Sequence, residues 1–106
     1  MGEDKPEFGF GAAGRPLWSV RDRDAEAIRS VLRTAGRREF GERQDGFVVE
    51  GGNDGAPFVI ACTGNAEAAG VAAAELARYE AALLTAGYRV ELDPADDQVL
   101  QAWPPS

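Results

Sequence analysis

The tripeptide Thr-Ala-Gly occurs twice, 51 residues apart, and each time it closes a stretch of good helix formers and precedes a strand-like run. Gly36 and Gly87 therefore stand where a left-handed residue ends a helix. This pairing limits the chain to a short list of architectures. Two helices, each followed by extended segments, must bury their apolar stripes on a shared sheet.

The first helix is expected over about 20–35. Ser19 is the N-cap, with Asp22 three residues on in the manner of a capping box. Ala25, Ile28, Val31 or Leu32, and Ala35 recur at helical spacing and mark the buried stripe. The second helix is expected over about 66–86, where Ala, Glu and Leu dominate. Ala72, Leu76, Tyr79 and Leu83 define its inner face.

Strand signals are shorter. Residues 58–62, Phe-Val-Ile-Ala-Cys, form an uninterrupted apolar run that reads as a central strand covered on both faces. Residues 46–50 read as its hairpin neighbour across a glycine-rich turn. Residues 37–43 are expected to pair with 46–50 through Gln44-Asp45. Residues 88–92 alternate, with Tyr88, Val90 and Leu92 on one face, and 98–103 return after an Asp-Pro turn. The expected fold is α+β: two layers, a largely antiparallel sheet, and two helices on one face.

Shifting the chain by 51 residues lays Thr34, Ala35, Gly36 and Arg38 over Thr85, Ala86, Gly87 and Arg89, and Asp45 and Val48 over Asp96 and Val99. A shift of 50 lays 7–14 over 57–64. A duplicated β-α-β-β unit, with halves 15–51 and 57–103, would explain this. So would two helices that merely end alike. Residues 1–14 read as a flexible or edge-strand segment, and 15–106 as one domain, which suits a chain of 106 residues.

Charge is unevenly spread in a chain of net charge −7. Residues 15–43 hold eight arginines against five acids, while 44–106 hold two arginines against ten acids. Lys5 is the sole lysine; the arginine, alanine and glycine bias points to a GC-rich bacterial genome. Histidine is absent, which removes Ser-His-Asp and Cys-His catalysis and the commonest metal ligand. Cys62 is the lone cysteine, so no intrachain disulfide forms and a reducing, cytoplasmic setting is the default. The acidic N-terminus is no secretory signal, and no apolar run approaches the roughly 20 residues that span a bilayer.

Four features invite a functional reading, each beside a plainer one. Arg29, Arg33 and Arg37 fall at i, i+4 and i+8, with Arg38 adjacent. They would form a contact stripe for phosphate or an acidic partner, or a solvated face on which Glu26 pairs with Arg29. On either view, Arg29→Glu with Arg33→Glu is expected to leave the melting temperature nearly unchanged. Cys62, Thr63, Gly64 and Asn65 lead from a strand into the second helix. Free N–H groups there can bind an anion and activate a thiol, or Cys62 is a core residue and Thr63 or Asn65 a cap. Gly9–Gly14 matches G-x-G-x-x-G, but Arg15-Pro16 follows it and no buried strand precedes it, so no dinucleotide site is expected. The acids at 93, 96 and 97 lack calcium-loop spacing and read as turn chemistry.

Trp18 and Trp103 are core anchors if buried and interface markers if exposed. The expectation is a non-catalytic module that binds another protein or itself through Arg29, Arg33, Arg37, Arg38 and Trp18. A nucleic-acid-binding arginine face and a small-ligand binder at 62–65 are the alternatives. No cofactor, metal or membrane is expected.

Overall fold

A computed structural model describes residues 5–40, 46–51, 56–63 and 69–105. Its elements are helix α1 (Val20–Thr34), strands β1 (Gly46–Gly51) and β2 (Phe58–Thr63), helix α2 (Ala69–Thr85), and strands β3 (Arg89–Asp93) and β4 (Asp96–Trp103). The strands form an antiparallel sheet in the order β1-β2-β4-β3. Both helices pack on it, so the expected α+β, two-layer arrangement is what the chain adopts.

Helix α1 starts where the sequence places it. The Ser19 hydroxyl accepts the Asp22 N–H, and the Asp22 carboxylate accepts the Trp18 N–H. This reciprocal pair satisfies donors that a helix start leaves orphaned. Ala25, Ile28 and Leu32 are buried, Val31 is half-buried, and Ala35 lies exposed beyond the last turn.

The two helix ends match bond for bond. Gly36 (φ 84°) and Gly87 (φ 94°) are left-handed. Arg37 N–H donates to Leu32 C=O, and Tyr88 N–H donates to Leu83 C=O. Gly36 and Gly87 donate to Arg33 and Leu84 in turn. Both are Schellman closures, which need a residue free of a Cβ penalty at that point.

The core lies between the layers. Ile28 and Leu32 from α1 and Leu76, Tyr79 and Leu83 from α2 meet Phe47, Phe58, Ile60 and Leu100 from the sheet. The side chain of Ala72 lies outside the described set. Tyr79 meets Phe47 edge-on, with ring centroids 6.0 Å apart. Each such buried side chain contributes about 1.5–3 kcal/mol.

The fold departs from the sequence pattern at three places. First, β2 is central, but the helices cover one of its faces. Val59 and Ala61 alternate with the buried Phe58 and Ile60 and are half-buried. A run of short apolar residues cannot distinguish one covering layer from two. Second, 37–43 makes no hairpin with β1 among the described residues. Glu39 forms an isolated parallel bridge to Phe47, with Phe47 N–H donating to Arg38 C=O and Phe40 N–H donating to Phe47 C=O. The Schellman exit from α1 sends the chain alongside β1 in the same direction. Residues 41–45 lie outside the described set.

Third, residues 7–14 join no strand of the sheet. Phe8 N–H donates to Leu17 C=O and Leu17 N–H to Gly9 C=O, Gly9 and Gly14 are left-handed, and Ala12–Gly14 is a 3₁₀ turn. The glycines let the segment double back, and Pro16 offers no N–H to extend a ladder. The chain therefore does not show a duplicated β-α-β-β unit.

Gly36→Ala and Gly87→Ala should each cost about 1–2 kcal/mol, because both place a Cβ in a left-handed conformation. Urea denaturation of the two variants should give similar losses, since an added Cβ at either position meets nothing closer than ordinary van der Waals contact.

Candidate functional site

The arginine stripe turns inward. Glu26 sits one helical turn before Arg29 and two before Arg33, and it is only 9% exposed. Its carboxylate accepts Arg29 Nη1 at 3.3 Å, Arg33 Nη2 at 2.5 Å, Arg15 Nη1 at 2.7 Å and the Ala12 N–H at 3.2 Å. Glu39 receives Arg15 Nη2 and Arg33 Nη1, both at 2.8 Å. Arg29 spends its remaining Nη2 on the Val49 carbonyl of β1, at 3.1 Å. Gly11 is required by this packing: a Cβ there would lie 2.6 Å from Glu26 Cδ.

This geometry sets the titration of Glu26. Burial alone would favour its neutral form. The Ala12 N–H and the Arg33 and Arg15 guanidiniums outweigh that and lower the carboxyl from 4.5 to about 2. Burial likewise works against the charge of Arg15, but Glu39 and Glu26 raise its pKa.

Arg37 leaves the stripe for α2, where it and Arg78 share Glu75, at 3.0 and 3.3 Å. Beside them an open groove of about 630 Å³ runs between the helices, lined by Val31, Ala35, Ala82 and Ala86 among others. Arg38 is exposed. The sequence anticipated the Glu26–Arg29 pair and missed the rest of the network. The spacing of Glu26 and Arg33, seven residues apart on one face, was the available signal. Nothing local to Arg15 or Glu39 pointed to their partners.

The tryptophans differ. Trp18 is 51% exposed and is followed by Val20, 49% exposed. Leu17, buried immediately before it, anchors the chain at this point. Trp103 is half-buried with the Arg89 guanidinium 4.3 Å from its ring centroid.

At the other candidate turn, Cys62 packs against the core, and the Thr63 hydroxyl donates to Gly46 C=O at 3.0 Å. Thr63 thus joins β2 to β1. Gly64 and Asn65 lie outside the described residues. The fully buried Tyr79 hydroxyl lies beside Cys62 without a hydrogen-bond partner, and burial raises its pKa, with Cys62 adding to the effect. The acidic turn is held by its own backbone: Asp93 accepts the Ala95 N–H and Asp96 the Gln98 N–H. Among the described residues, no cluster of three His, Cys, Asp or Glu side chains could hold a metal, and no helix is long and apolar enough to cross a membrane.

Comparison with family models, curated proteins and solved structures finds no match to this chain.

Charge reversal on the stripe tests the network. Arg29→Glu with Arg33→Glu places two further carboxylates against Glu26 and Glu39, so the near-neutral effect expected from sequence is replaced by a large loss. Each kcal/mol lost lowers the midpoint by roughly 4–8 °C in a domain of this size, and thermal melting should show a drop of at least that.

Acid titration gives a second test. The Glu26 pKa is depressed on folding, so its stabilisation is complete above pH 4.5 and is lost as pH falls towards 2. Glu26→Gln should cost about 1–3 kcal/mol at neutral pH. Its urea midpoint should fall less steeply between pH 4.5 and 2 than that of the unmodified protein.

Proposed function

We propose that the protein is a non-catalytic protein-interaction or regulatory module that engages another protein through the surface around Trp18. The observation that carries this reading is the exposure of Trp18 together with Val20, on backbone held in place by Asp22 and by buried Leu17. A large aromatic presented to solvent from an anchored position is typical of interface hot spots. A single free cysteine suits a reducing cytoplasm.

The charge network argues in the same direction. Arg29, Arg33 and Arg37 are already matched by Glu26, Glu39 and Glu75, which weakens their claim on phosphate. Of the arginines first considered as a contact face, Arg38 is exposed, and it follows the end of α1 opposite Trp18. The net charge of −7 disfavours nucleic acid at long range.

Capture with the tagged chain from lysate of its own organism tests the reading, with and without nuclease and at two salt concentrations. A protein should be retained by the unmodified chain and lost with Trp18→Ser, while Trp18→Ser leaves the melting temperature within a few degrees. Retention of nucleic acid that elutes with salt, or capture indifferent to Trp18→Ser, would overturn it.

A further inference from the structure

We propose that Arg21 is an anion-binding residue that receives a carboxylate from the partner. This rests on the module reading above and names the chemistry of its contact. Arg21 lies in the first turn of α1, one residue after Val20 and three after Trp18. Its guanidinium lies over the ring of Phe58, with Cζ 3.9 Å from the centroid. Nε and Nη2 are buried and have no hydrogen-bond partner. Nη1, with no acceptor among the described residues, is the nitrogen left to solvent.

That state is costly. A buried donor without an acceptor forfeits its hydration. The cation–π contact with Phe58 returns part of this. The other half-buried arginines among the described residues, at 15, 29, 33 and 37, each have a carboxylate within 3.3 Å. Among the described residues Arg21 has none. A guanidinium left unmatched there while its neighbours are saturated is suited to a group from outside the chain.

The site is also preformed. Gly51, at the end of β1, lies against the Phe58 ring that carries the guanidinium. A Cβ at Gly51 would come within 2.9 Å of Phe58 Cε1 and 3.5 Å of Arg21 Nε. The stack fixes the plane of the guanidinium before any ligand arrives, which lowers the entropy lost on binding. The charge and the single open donor match a monoanion. Trp18 and Val20 supply apolar area from the same turn, so an acidic side chain flanked by apolar residues fits best.

The test is an NMR titration of the full chain, ¹⁵N-labelled, with sodium acetate as the carboxylate probe. Sodium chloride at equal ionic strength and inorganic phosphate are the comparison arms. The Arg21 Nε–H and the Val20 and Gly51 amides should shift saturably with acetate and not with chloride. Arg21→Met, which keeps an apolar cover over Phe58, should weaken acetate binding at least tenfold while remaining folded. Should Arg21→Met unfold, Arg21→Gln serves instead, since it keeps a chain over Phe58 and removes the cation.

Equal shifts in chloride, acetate shifts that persist in the Arg21 variant, or tighter binding of phosphate than of acetate would each overturn the proposal. Acetate needs no protein partner. A Trp18→Ser chain that still shows the acetate shift, with no Trp18-dependent capture, would therefore defeat the module reading and leave the anion site standing.

Discussion

A carboxylate that is only 9% exposed holds the first half of this molecule together. Glu26 collects hydrogen bonds from three guanidiniums and one backbone N–H, and those donors come from two separate parts of the chain. Arg15 and Ala12 bring the N-terminal turn, while Arg29 and Arg33 belong to α1. Through Arg15 and Arg33 the network reaches Glu39, and through Arg29 it reaches the β1 carbonyl of Val49. A buried charge is tolerated only when its partners saturate it. Here the saturation is what ties the turn, the helix and the sheet edge into one unit. Without Glu26, three cations would share Glu39 alone among the described carboxylates.

The same network treats one edge of the sheet. An edge strand exposes unpaired N–H and C=O groups that invite further pairing. Along β1, Arg38 and Phe40 engage both backbone groups of Phe47, and Arg29 takes the Val49 carbonyl. The opposite edge is handled differently. Strand β3 carries Arg89, Glu91 and Asp93, with Arg89 paired to Glu91 on the strand itself, and its ladder shifts register at Leu92/Asp93. Charge and the register shift discourage pairing there. Arg15, Arg29 and Arg33 thus spend their charge on internal carboxylates, whereas Glu50, Glu91 and Asp96 of the sheet are exposed.

What could be read from the sequence was what local rules encode. The Ser19 cap, the two Gly stops, the α2 stripe of Leu76, Tyr79 and Leu83, and the hairpin from β3 to β4 each depend on residues close in sequence. The missing parts depend on pairs far apart. Arg15 meets Glu39 across 24 residues, and Glu39 reaches β1 in a parallel bridge that no hairpin rule anticipates. The resemblance between 7–14 and 57–64 failed for a related reason. Glycine allows a strand and a turn alike, and contacts with Glu26 and Leu17 decide which forms. Periodicity placed Arg29, Arg33 and Arg37 on one face of a helix. Whether that face meets water or carboxylates is set by chain segments the periodicity does not contain.

This difference shifts the weight of the functional argument. An arginine stripe facing solvent would be judged by its charge, and its natural ligand would be a polyanion. A stripe neutralised from within has little long-range field left, because each guanidinium is paired at contact distance. On the proposed reading, discrimination falls to the exposed indole of Trp18 and to the guanidinium of Arg21, stacked on Phe58 with no carboxylate beside it among the described residues. Both lie at the start of α1, where the Ser19–Asp22 capping pair fixes the backbone. A rigid base lowers the ordering cost of any contact made there. With the other half-buried arginines among the described residues matched from within, the proposed partner contact is placed where that matching stops.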